Sequence, residues 1–252
     1  MKYLGVCALV MLMAVPVMAT PTLTVSMGIR ETDQVGAIGD SMPNAGGAIE
    51  WLNKDEYTLV LDGTWQTFSF DFSSMAAFTG DGAVSADRGL LEHIRFLSTG
   101  YTHTQTVWVD NVSCTYDPAG LPPPATWSTS FDDVSYTDGQ EVMFQEPTFS
   151  GSTSGYIVTG ATSGFDSSVS ADANGGSVKA EWQFIDGSTT NWLRYTAYST
   201  GQPEANPLLA EPNGPAGAYT SSVITFSLMG VPEPASLSLL AVGGLALLRR
   251  RR

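Results

Sequence analysis

Apolar and polar side chains alternate with a period of two along much of this chain. That pattern admits β-strands with one buried face and excludes amphipathic helices over the same residues. Leu23, Val25, Met27 and Ile29 alternate with Thr24, Ser26, Gly28 and Arg30. Phe68, Phe70 and Phe72 alternate with Ser69 and Asp71; Val178, Ala180, Trp182 and Phe184 with Lys179, Glu181 and Gln183; Ile224, Phe226 and Leu228 with Thr225 and Ser227. Shorter strands are expected over Thr58–Leu61, His93–Leu97, Thr106–Cys114, Glu141–Phe144, Tyr156–Thr159 and Trp192–Tyr198, each bounded by turn-forming residues. Arg88–Arg95 reads as a single helical turn. A lone sheet would leave one apolar face wet, so half-buried strands require two facing sheets. About ten strands at this spacing fit an all-β fold, a jelly-roll β-sandwich.

Composition narrows the partners. Only 14% of residues are charged, and 26 Gly and 14 Pro punctuate the chain, unlike a helical bundle. Residues 20–230 hold six basic and 24 acidic residues, a net charge of −18, so nothing would neutralise phosphates and no nucleic acid is expected as a partner. Two Cys make no disulfide framework, and two His offer little for zinc or a His-based triad.

The ends are delivery segments. Lys2, the apolar stretch Leu4–Val17 and the small-residue site at Ala19 before Thr20 read as a secretory signal peptide over residues 1–19. It carries Cys7 away and leaves Cys114 as the only thiol. At the other end, Val231-Pro232-Glu233-Pro234 precedes a charge-free run from Ala235 to Leu248, and Arg249, Arg250, Arg251 and Arg252 close the sequence. A helix over the run would rise about 21 Å, short of a roughly 30 Å hydrocarbon layer unless the arginines snorkel and the bilayer thins. Such a basic cluster prefers the cytoplasmic side. This three-part order over 231–252 resembles the PEP-CTERM sorting signal. The resemblance implies a bacterial protein exported through the secretion machinery and processed by an exosortase, a membrane enzyme, near Pro232-Glu233-Pro234. It further implies transient anchoring with the Arg tail cytoplasmic, then release to the cell surface or extracellular matrix.

The region 20–230 is interrupted by a Pro-rich connector at 118–126, stiff and unable to join a sheet interior. It separates residues 22–117 from residues 127–229. Gly63-Thr64-Trp65-Gln66-Thr67-Phe68-Ser69-Phe70-Asp71-Phe72 and Val107-Trp108-Val109-Asp110-Asn111-Val112 resemble the closing strands of carbohydrate-binding-module-like jelly rolls. Phe131-Asp132-Asp133, Val142–Pro147 and Lys179–Ile185 resemble the opening strands. The closing half therefore comes first, which implies one circularly permuted sandwich with both mature termini at one end and Val223–Leu228 running beside or toward Leu23–Ile29. Two half-domains that dimerise, or a gene fragment that folds poorly, are the competing readings.

Chemistry is sparse. Gly-x-Ser-x-Gly and phosphate-loop patterns are absent, and no acidic pair stands out among 24, so no catalytic residues and no enzymatic role are expected. The jelly-roll resemblance implies a structural calcium held by Asp110 with Asp132 or Asp133. Exposed tryptophans can stack on sugar C–H faces; of Trp51, Trp65, Trp108, Trp127, Trp182 and Trp192, the loop-flanking Trp51 and Trp192 are the favoured candidates for contact with an extracellular polysaccharide, and Trp182 falls on the core phase. Two readings of the ectodomain stay open: a glycan-binding module, marked by an aromatic strip beside polar groups on one sheet, and a structural or protein-interaction module, marked by a plain Thr/Ser face.

Overall fold

The computed structural model describes residues 20–31, 50–53, 56–71, 76–77, 89–118, 125–132, 135–153, 155–172, 175–197 and 219–232. The expected signal peptide with Ala19, Asp133, and the tail residues Glu233, Pro234 and Arg249 to Arg252 lie outside them. Thr20 is exposed at the start of the described chain.

The described residues are all-β, in two antiparallel sheets. The first contains β1 (Thr22–Glu31), β2 (Glu50–Asn53), β3 (Tyr57–Val60), β5 (Ala76–Ala77), β6 (Gly89–Leu97) and β11 (Trp192–Thr196), in the order β11-β6-β1-β2-β5. One edge of β1 is taken by β6; β3 and β2 share the other, over Thr22–Val25 and Gly28–Glu31. The second sheet contains β4 (Trp65–Asp71), β7 (Thr104–Pro118), β8 (Ala125–Thr129), β9 (Thr162–Asp166), β10 (Ser177–Gln183) and β12 (Tyr219–Pro232), in the order β4-β12-β7-β10-β9, with β8 also on β7.

The alternation predicts which residues face inward. Leu23, Val25, Met27, Phe70, Val107, Val109, Val178, Ala180, Ile224, Phe226 and Leu228 are completely buried and belong to one hydrophobic cluster. Aromatic rings join the sheets across it: Phe96 of β6 lies 5.2 Å from Trp182 of β10, and Tyr57 of β3 meets Phe70 of β4 edge-on at 5.0 Å. The buried Tyr195 hydroxyl of β11 is hydrogen-bonded to Ser163 Oγ of β9, and burial pushes its pKa up.

Both sheets mix strands from before and after the Pro-rich segment. β6 pairs with β11, β4 with β12, and β7 with β8, β10 and β12. Strand pairing also enters the segment itself: Tyr116 pairs with Ala125, and Pro118 ends β7 opposite Tyr219. A proline at the last rung loses no ladder bond it must donate.

Three expectations are revised. β12 does not run beside β1: it lies between β4 and β7 in the other sheet. The ends of the two strands do meet at one turn, because Leu61 N–H donates to Pro21 C=O (2.9 Å) and Gly63 N–H to Gly230 C=O (3.0 Å). Arg88–Arg95 is no helical turn; residues 89–97 are β6. The three-residue step from Leu91 to Ile94, both buried, comes from a β-bulge: Ile29 pairs with Leu91 and Gly28 with His93, leaving Glu92 as the extra residue. Glu141–Phe144 and Tyr156–Thr159 contribute only single bridges, Phe144 to Ala197 and Ile157 to Phe184. Met143, at φ 59°, breaks the first extension.

Candidate functional site

Residues on the polar phase of the second sheet form its outer face. One row crosses all five strands of the main path: Trp65 on β4 is opposite Met229 on β12, which is opposite Trp108 on β7, then Lys179 on β10, then Gly164 on β9. Trp65, Met229, Trp108 and Lys179 are all half-buried. The next row carries Val231, Thr106, Glu181 and Thr162.

The two indoles are held by their edges. Trp65 Nε1–H donates to Ser170 C=O at 3.1 Å, and Trp108 Nε1–H to Asp166 Oδ2 at 2.9 Å. No ring or guanidinium of the described residues lies on either indole face. A cavity of about 420 Å³ opens beside Trp108's partner Asp166 and is lined by Asp138, Thr162, Asp166, Lys179 and Glu181 among others. Lys179 Nζ sits 3.0 Å from Glu181 Oε2. Burial raises the Asp166 pKa, but hydrogen bonds from Ser168 and Trp108 outweigh it, and with Lys179 nearby the carboxyl titrates below its ordinary value. Asp166 is thus a fixed anion and acceptor.

The same face changes character toward β8. Thr67, Asn111, Ser113, Ser128, Ser130, Thr225 and Ser227 line a groove of about 450 Å³, with the Thr67 and Ser227 hydroxyls 3.2 Å apart and those of Ser69 and Thr225 3.1 Å apart.

Asp110 lies between these regions, completely buried. Asn111, at φ 51° beside a register irregularity, supplies the N–H that bonds Asp110 Oδ1 at 2.7 Å. Ala171 N–H and Ser170 Oγ donate to Oδ2 at 2.7 and 3.3 Å. Burial outweighs these bonds and pushes the Asp110 pKa up to about 6. Asp132 is exposed; its Oδ2 accepts from Ser130 Oγ, and its other oxygen lies where a Cβ on Gly175 would fall. Asp110 thus contacts Ser170 and Ala171, and Asp132 lies against Gly175. Among the described residues no group of three His, Cys, Asp or Glu side chains is placed to hold a metal ion.

Trp192 sits on the other sheet, with a different environment. The Arg95 and Arg194 guanidinium carbons lie 5.1 and 5.3 Å from its ring centre, and Tyr156 packs at 5.9 Å. Trp51 is on β2 in register with Arg30. Trp65 and Trp108 rank behind Trp51 and Trp192 in the sequence, although it holds the signal of their row: Trp108 falls between the core residues Val107 and Val109, and Trp65 on the phase opposite Phe68 and Phe70.

Of the sorting motif, Val231 and Pro232 are described: they complete β12, opposite Thr106 and Gln105. Residues 230–252 match the PEP-CTERM protein-sorting motif. Neither the curated proteins nor the solved structures hold a match to the chain. By that tail the chain is an exported protein sorted through a PEP-CTERM signal, as an exosortase substrate.

Proposed function

We propose that residues 20–230 form a non-catalytic surface or matrix module that binds an extracellular glycan on the outer face of the second sheet. The observation that carries this reading is the Trp65–Met229–Trp108–Lys179 row, whose indoles are fixed by their N–H edges and carry no ring or guanidinium of the described residues on their faces. A sugar's C–H face stacks on such rings, while Lys179, Glu181, Asp166 and Asp138 beside them suit hydroxyl recognition. Asp166, held as an anion by the hydrogen bonds from Ser168 and Trp108, serves as an acceptor for a sugar hydroxyl.

In this reading the two halves make one permuted jelly roll, delivered by the secretion machinery and anchored transiently with Arg249 to Arg252 in the cytoplasm. The three donors to the Asp110 oxygens support a hydrogen-bonded arrangement without calcium. The Ser/Thr groove supports a second reading, a structural module that contacts other proteins or itself. Binding of the exported protein to a polysaccharide array separates the two. Retention on a glycan that Trp108→Ala weakens is expected; no retention on any glycan leaves the structural reading.

A further inference from the structure

The matched sorting motif begins at Gly230, but β12 continues to Pro232, so the folded sheet and the sorting signal share three residues. Gly230 pairs with Val107, Val231 with Thr106 and Pro232 with Gln105. β4 has ended by then, its last rung being Trp65 with Met229, yet the vacated edge of Gly230 is still engaged: its C=O accepts from Gly63 N–H. Gly230 is buried, and a Cβ there would fall 2.3 Å from Leu61 Cδ2, so the strand end is packed as well as paired. Pro232 has no N–H to offer and closes the ladder on its β7 edge.

A peptide bond is cut only when the segment around it can lie extended in an enzyme's cleft, with its edges free. Residues paired and packed in a sheet become available only through local opening. We infer that the sheet itself sets the upstream limit of processing: the sorting enzyme cuts no earlier than the bond after Pro232, and β12 stays whole. The inference rests on the sorting reading of the tail, and adds to it where the cut can and cannot fall.

Two measurements on the full chain test it. Full-length protein in detergent micelles is treated briefly with a non-specific protease, and the trimmed body's C-terminus is read by mass spectrometry. A terminus at Pro232 or beyond is expected; trimming to any residue from Leu228 to Val231 overturns the inference. The second measurement reads the C-terminus of the protein released by a host that carries the processing enzyme. A terminus at Pro232 or later supports the inference, and one at Val231 or earlier defeats it. A chain never cut in that host defeats the sorting reading and the inferred cut with it, while the detergent digest still reports whether the sheet protects β12. Gly230→Val, which forces Leu61 away, is expected to shift the digest into Leu228–Val231. If that variant does not fold, the wild-type termini alone decide.

Discussion

Trp192 and Trp108 are both half-buried tryptophans on the outer face of a sheet, and they are held in opposite ways. Trp192 carries two guanidiniums within 5.3 Å of its ring centre and Tyr156 at 5.9 Å, so its π-surface is already used inside the protein. Trp108 is fixed through its N–H to Asp166, and its faces stay free of rings and guanidiniums from the described residues. The first arrangement closes a surface and the second presents one. The two tryptophans are alike in burial and differ in which part of the ring is bonded.

The closed character of the first sheet extends to Gly28 and His93. They are cross-strand partners, His93 is buried, and a Cβ on Gly28 would fall 2.1 Å from its Cε1. Burial first, then Arg194 and Arg95, holds the imidazole pKa well below its usual value, so it packs as a neutral ring over the glycine. Gly28→Ala is expected to cost about 3 kcal/mol, at the upper end of overpacking effects. Denaturant melts of Gly28→Ala, His93→Ala and the double variant check the contact, because the double should cost less than the two singles added. Simple additivity would mean that the imidazole does not rest on Gly28.

Trp108→Ala and Trp65→Ala test the open face. Each is expected to weaken glycan retention by about 2 kcal/mol, roughly thirtyfold, as a well-placed tryptophan anchor does. Trp192→Ala should lower the melting temperature and leave retention unchanged. Loss of binding with Trp192→Ala and not with Trp108→Ala would reverse the comparison between the sheets.

The alternation made the core legible, because burial on one face of a strand repeats every second residue wherever the strand is regular. It failed where regularity fails. The bulge at Glu92 turned a period of two into an apparent period of three, and Met143 in the left-handed region ended an apolar run that reads as a strand. β9, Thr162–Asp166, has too little apolar content to announce itself; β10 and the inner Phe165 make it a strand. The tryptophan row was legible in phase, since Trp108 stands between two core valines. How each indole is held was not, because Ser170 and Asp166 lie 105 and 58 residues away from Trp65 and Trp108.

The outer faces also differ in how pH acts on them. The Asp110 carboxyl titrates near 6 in the fold and near 3.8 in the open chain, so it binds its proton more tightly when folded. Its stabilisation is full below about pH 4 and is lost as the pH rises through about 6. His93, with its pKa depressed, works the other way: its contribution is present above about pH 6.5 and is lost as the pH falls through its folded value. Asp110→Ala should remove the acid-side gain, an effect of order 1 kcal/mol or a few degrees in Tm, and make the protein lose stability monotonically on acidification below pH 6.5. Melting curves from pH 4.5 to 7.5 on both chains show whether the acid-side gain belongs to this one carboxyl.

The smallest expected effect separates a calcium-held turn from a hydrogen-bonded one. In the first, chelation strips Asp110 of its ligand and leaves buried carboxylate charge uncompensated, which lowers Tm by several degrees. In the second, Ala171 N–H, Ser170 Oγ and Asn111 N–H already serve the Asp110 oxygens, and a chelator has nothing to remove. A shift in Tm below about 1 °C on adding a chelator at pH 7.5 is expected. A larger fall, reversed by added calcium and absent in Asp110→Ala, would make Asp110 a ligand and return Asp132 and Asp133 to consideration beside it.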